Sequence, residues 1–184
     1  MANTDAPFGL RPISTQAGTA PQMHTYTVAS SVTIYEGQPV ALDTSGTANT
    51  YTGTAAAGDR LLGAAAYYVA GAATDRTLHV YDDPTQEYEI QVDDNSVTLA
   101  TALIGRNFSF TNVKSGNGTT LQSKAELDGS TGSTVSYNLT VVHPIKGLRF
   151  SSDPENDTSA VSWTKVIVKI NPDAHIFAAE NAGV

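Results

Sequence analysis

The sequence predicts an all-β chain, built as a single β-sandwich or barrel-like domain with one short helix and an extended N-terminal arm. Three observations lead there. Apolar residues two apart recur in short runs, most clearly Leu78 and Val80, then Tyr88, Ile90 and Val92, and again over 134–145 and 161–171. Period two is the mark of a strand with one face inward. The runs recur at roughly ten-residue intervals, separated by glycine, proline and aspartate, as strands of a sandwich or barrel do. Helix-start and helix-stop signals coincide in one place only.

Residues 1–24 carry Pro7, Pro12 and Pro21, which favour extended backbone and keep neither period, so they read as an arm. Phe8, Leu10 and Arg11 place two large apolar groups and a cation in this thin segment, and a solvating tail has no use for them. Two readings stand side by side: a disordered chain end, or an arm that docks on its own domain or on a partner. The β body is predicted over 25–173. Tyr26 and Val28, then Val32 and Ile34, mark half-buried strands, and 39–42 is a short strand between turns at 36–38 and 43–46. A further short strand is placed at 50–52. The alanine-rich run 61–69 reads as strand because Gly63 sits within it and Gly58 and Gly71 bracket it; its small residues Gly63, Ala64, Ala65 and Ala66 predict a close sheet-to-sheet or subunit contact.

Residues 77–94 form the strongest pattern, read as a β-hairpin around the turn 82–86, where Pro84 presets φ and aspartates bond their own backbone. Its second face, with Glu87, Glu89, Gln91 and Asp93, is predicted to be wet and acidic. No lysine or arginine lies between Arg76 and Arg106. Asp94, Asn95 and Ser96 are N-cap candidates for a helix over 97–104, with Leu99, Leu103 and Ile104 inward and Gly105 at C′. Phe108 and Phe110 share a strand face, and 113–133 is surface loop with a short strand at 122–127. Residues 134–145 make a strand that Pro144 ends. Leu148 and Phe150 follow, then an acidic loop at 151–158. In 161–171, Val166, Val168 and Ile170 point inward, with Lys165, Ile167, Lys169 and Trp163 opposite. Residues 174–184 form a weakly patterned tail.

The chain has 184 residues, 40% apolar and 15% charged, with a net charge of -8. Such a charge disfavours polyanions, so no nucleic-acid partner and no anionic membrane is expected. With no cysteine there is no disulfide, thiol catalysis or thiolate metal site. No apolar run approaches the ~18 residues of a membrane span, and the start lacks the pattern of a secretory signal. The four histidines, His24, His79, His143 and His175, stand far apart without a nucleophile motif, and each is expected at the surface or partly packed. Gly116 and Gly118 lack the lysine of a phosphate loop. Asp153, Glu155 and Asp157 form a candidate calcium loop, weighed against a plain solvated one. The reading is non-enzymatic, with no cofactor.

The opening Asp5-Ala6-Pro7-Phe8-Gly9-Leu10-Arg11-Pro12 resembles the first residues of many small tailed-phage virion proteins, typically encoded beside the major capsid protein. Further stretches resemble the same group in order: Ile34-Tyr35-Glu36-Gly37-Gln38-Pro39-Val40, Arg60-Leu61-Leu62-Gly63, Tyr81-Asp82-Asp83-Pro84, Tyr88-Glu89-Ile90-Gln91-Val92-Asp93 and the strand from Lys165 to Asn171. Where that group often has T-G-x-S ahead of the Leu127-Asp128 equivalent, this chain reads Leu121-Gln122-Ser123. The resemblance implies a capsid decoration, or cement, protein: β-rich, commonly trimeric, made in the host cytoplasm and seated on the capsid exterior, where it staples neighbouring copies of the major capsid protein. It implies a capsid-binding role for the arm residues Phe8, Leu10, Arg11 and Pro12, and a homotrimer contact at Gly63 to Ala66. On that reading, removal of 1–24 leaves the body folded and weakens attachment. Other classes are a head fibre or tail component, or a carbohydrate-binding adhesin sandwich using Trp163 and the tyrosines.

Overall fold

Alternating apolar residues bury only when a second layer covers them, and this chain supplies two such layers. The computed structural model describes residues 3–53, 60–74, 76–93, 103–131, 143–159 and 162–178. Strands β2 (His24–Val28), β3 (Pro39–Leu42), β4 (Ala48–Thr50), β5 (Leu61–Ala65) and β6 (Arg76–Tyr81) close a barrel in the order β2-β4-β3-β5-β6. Val28, Ile34, Val40, Leu62, Leu78 and Val80 fill it. A second, five-stranded antiparallel sheet runs β1 (Arg11–Thr15), β7 (Gln86–Gln91), β12 (Lys165–Ile170), β11 (Ile145–Phe150) and β8 (Asn107–Phe108). Its core holds Leu10, Tyr88, Ile90, Phe108, Ile145, Val166 and Val168. A small pair, β9 (Phe110–Thr111) and β10 (Glu126–Leu127), flanks it. The all-β prediction therefore holds, as one barrel and one sheet.

The wall between the two cores is β5, buried along its whole length. Leu61 and Ala64 face the sheet core, while Leu62 and Ala65 face the barrel core. A strand buried on both faces must be thin where neighbours approach. A Cβ at Gly63 would lie 1.9 Å from the Tyr81 carbonyl oxygen, so only hydrogen fits. Of the two contacts predicted for this run, the structure realises the internal one. Gly63, Ala64 and Ala65 are covered by the chain's own strands, which corrects their assignment to a subunit face.

The hairpin over 77–94 is also corrected. Its strands are β6 and β7, but they do not pair: β6 lies between β5 and β2 in the barrel, and β7 between β1 and β12 in the sheet. The turn chemistry is as predicted, with the Asp83 carboxylate accepting from the Thr85 amide and the Gln86 amide donating to the Asp83 carbonyl. It serves as a crossover from one layer to the other.

The arm docks on its own domain, and the body begins well before residue 25. Leu10 is fully buried in the sheet core, and Arg11–Thr15 is an edge strand paired with β7. Upstream, the Asn3 side-chain amide donates to the Asp157 carbonyl, and the Gln91 amide group donates to the Thr4 carbonyl. At the other end, the predicted tail is built in as far as Ala178: Ala174 enters the sheet core and Ile176 the barrel core. Residues 179–184 lie outside the described residues.

The predicted helix lies there too, apart from its last turn, where Leu103 is buried but Ile104 is exposed. Gly105 has φ +81°, the left-handed backbone expected at C′. Residues 134–142 are likewise outside. Pro144 precedes a strand: β11 starts at Ile145, and the Pro144 carbonyl accepts from the Asn171 amide at 2.8 Å. A proline lacks a donor yet keeps its acceptor, so the start of a strand suits it.

Candidate functional site

The arm crosses the turn at 36–38 at a point where two backbones nearly touch. Gly9 (φ +73°) and Gly37 (φ +73°) face each other, and a Cβ on either would fall 2.3–2.4 Å from the other segment's carbonyl oxygen. The Leu10 amide donates to the Gly37 carbonyl at 2.8 Å. The Gly37 amide donates to Ala65, also at 2.8 Å, and the Ala65 amide to Gln38 at 3.0 Å. On the far side, the Ser123 amide donates to Glu36 and the Glu36 amide to Leu121, so the segment Leu121-Gln122-Ser123 lies along the turn.

A cavity of about 250 Å³ opens at this crossing, with Phe8, Arg11, Pro12, Glu36, Ala66, Tyr81 and Gln122 among its lining. The four arm residues divide here. Leu10 is closed to any partner, whereas Phe8 and Pro12 are half-buried and Arg11 is exposed. The Arg11 guanidinium lies 4.5 Å from the centre of the Phe8 ring and is ion-paired with Glu89.

That ion pair belongs to a set the sequence reading missed. Glu87 and Glu89, predicted wet, are nearly inaccessible. Arg149 donates to Glu87 at 2.6 Å, while Arg11 and Ser151 both donate to Glu89. Buried carboxylates need such partners. The hydrogen bond to Glu87 is also the largest cause that holds the Arg149 pKa above its ordinary value. No sequence signal joins these residues, because the cations come from strands or loops about 60–80 positions away.

At the crossover, Asp82 is buried and accepts from the Tyr26 hydroxyl, with His24 Nδ1 2.8 Å away. Burial first, then the hydrogen bond and charge of Asp82, pushes the Tyr26 hydroxyl pKa up. His175, expected at the surface or partly packed, is fully inaccessible, between Ala174 in the sheet core and Ile176 in the barrel core. Its Nδ1 accepts from the Phe177 amide at 3.1 Å, and burial pulls its pKa down to about 4. In the candidate calcium loop, Lys165 Nζ lies 2.5 Å from Asp153, and this hydrogen bond lowers the Asp153 pKa. Among the described residues, no group of three histidines or carboxylates is placed to hold a metal. Trp163 is half-buried, with φ +59° and its amide bonded to the Val92 carbonyl.

Two further tyrosines stand in the β5–β6 loop, Tyr67 exposed and Tyr68 half-buried, while Phe177 near the other end of the chain is also exposed. Tyr68 packs on Tyr35 at 5.4 Å between ring centres, and Tyr67 stands edge-on to His79 at 5.6 Å. The Tyr-Tyr pair was visible in sequence, but only as the end of an apolar run. No helix among the described residues is long and apolar enough to cross a membrane.

The architecture defines a β protein in which a barrel strand, β5, separates the barrel core from the core of an antiparallel sheet, with residues 11–15 forming an edge of that sheet. No protein-family model, curated protein or solved structure matches this chain.

Proposed function

We propose that this chain is a non-enzymatic virion structural protein that binds the outside of a tailed-phage capsid and cements neighbouring major capsid subunits. One observation supports the reading most: the scattered segments that carry the resemblance meet in one interlocked unit. The arm 5–12 crosses the turn of 34–40 at Gly9 and Gly37, and that turn is bonded to β5 of the 60–63 segment. Gly63 touches Tyr81 of the 81–84 segment, and β7 of the 88–93 segment pairs with both the arm and β12.

On this reading the capsid-facing part of the arm narrows to Phe8, Arg11 and Pro12, which rim the cavity with Glu36 and Gln122. The arm presents a shaped surface and is not a free strand seeking a groove. The β1 edge is itself blunted, since Pro12 has no amide to donate and the ladder is interrupted between Pro12 and Ser14. Self-association as a trimer remains part of the proposal, through a surface other than the buried 63–65 run, and multivalent contact lets weak single sites hold.

The test is co-sedimentation with undecorated capsids assembled from the major capsid protein encoded beside this chain. Saturable binding by the wild-type chain, reduced in folded Arg11→Glu and Gln122→Lys variants, is expected. No binding by the wild-type chain overturns the capsid reading. Light scattering at micromolar concentration and on the particle decides the trimer, and a monomer in both states overturns it.

A further inference from the structure

We propose that the open cleft between the β5–β6 loop and the start of β6 is a binding site for a neutral saccharide. Tyr67, Tyr68, Thr74, Arg76 and Thr77 line it, around about 690 Å³. That volume lies within the ~300–1,000 Å³ range of small-molecule sites.

Tyr67 is a large ring left 37% exposed, yet it is held in place. Its hydroxyl donates to the Thr77 carbonyl at 3.1 Å and its ring meets His79 edge-on. Tyr68 is fixed in turn against Tyr35. Rigid aromatic rings at the surface offer contact area at low entropic cost, and their faces suit the C–H side of a sugar ring.

Around them stand the polar groups that sugar hydroxyls require. Thr74, Arg76 and Thr77 are exposed, and among the described residues the Arg76 guanidinium has no carboxylate partner. A guanidinium and two threonines supply several donors and two acceptors within one short stretch. The chemistry argues against other occupants. A nucleotide or another polyanion meets a chain of net charge -8. A greasy ligand leaves the Arg76 and threonine groups unpaired. The site lies apart from the arm crossing, so it neither needs nor supports the capsid reading.

The experiment titrates the ¹⁵N-labelled full chain with glucose, galactose, N-acetylglucosamine, maltose and glucuronate, followed by amide shifts, alongside a glycan array. The expected result is saturable shifts confined to 67–69 and 74–79 by at least one neutral sugar. Tyr67→Ala is expected to weaken that binding about tenfold or more, and Arg76→Gln by less. Both side chains are exposed, and the wild-type shift map stands without either variant. The proposal is overturned by no shifts and no array signal, by shifts elsewhere, by unchanged affinity in Tyr67→Ala, or by glucuronate binding more tightly than every neutral sugar. Capsid co-sedimentation of Tyr67→Ala is expected to match wild type, which keeps the two proposals separable.

Discussion

Strands β6 and β7 read almost alike in sequence and finish in opposite circumstances. Both alternate apolar and polar residues, and both bury the apolar set: Leu78 and Val80 in one, Tyr88 and Ile90 in the other. On β6 the remaining residues Thr77 and His79 are exposed, as alternation suggests. On β7 the remaining residues Glu87, Glu89 and Gln91 are buried as well. The difference lies in the neighbours. The outer face of β6 is the outside of a closed barrel. β7 is flanked by β1 and β12, with Arg11, Arg149 and Ser151 reaching its carboxylates. Alternation reports that two faces differ in polarity; it does not report that the polar one meets water.

The comparison breaks most severely if the β1 side is removed. Deleting residues 1–24 is expected to abolish the cooperative thermal transition, because it strips β7 of a paired strand and takes Leu10 out of the core. Leu10→Ala alone is expected to cost about 2–5 kcal/mol in chemical denaturation. A wild-type melt from the deleted chain overturns the view that the arm is structural.

A second probe reaches between the two layers through His175. Its folded pKa, about 4, lies below the ordinary 6.5, so the unfolded chain takes up this proton first. Stability from this group is therefore full above pH 6.5 and falls as pH drops toward 4, by about 3 kcal/mol. Comparison of wild type with His175→Gln over pH 4–7 isolates it, and parallel curves remove the assignment.

The outer face of β7 gives a smaller effect. Glu89→Ala is expected to destabilise by about 1–2 kcal/mol, at the low side because the Arg11 end of the pair is open to water. The matching change on β6, His79→Ala, is expected to stay within about 0.5 kcal/mol. Equal costs from the two substitutions, measured by urea denaturation, erase the distinction between the strands.

Much of the fold was legible from residues alone. The all-β class, β3 at its observed limits, and the inward sets Leu78/Val80, Tyr88/Ile90 and Val166/Val168/Ile170 follow from period two and turn chemistry, which depend on neighbours in sequence. So does the turn at 82–86, because aspartate and proline act on their own backbone. The sequence also marked Phe8, Leu10, Arg11 and the glycine-containing run as segments with something to touch. What they touch was settled by tertiary structure. Leu10 fills the chain's own core, Gly63 makes room for a carbonyl from β6, and β6 and β7 part into different layers. His175 lies buried between those layers. Each of these is a contact between residues distant in the chain, and local pattern carries no term for the partner that closes it. Burial of a face, and the pairing of a charge, belong to the assembled layers.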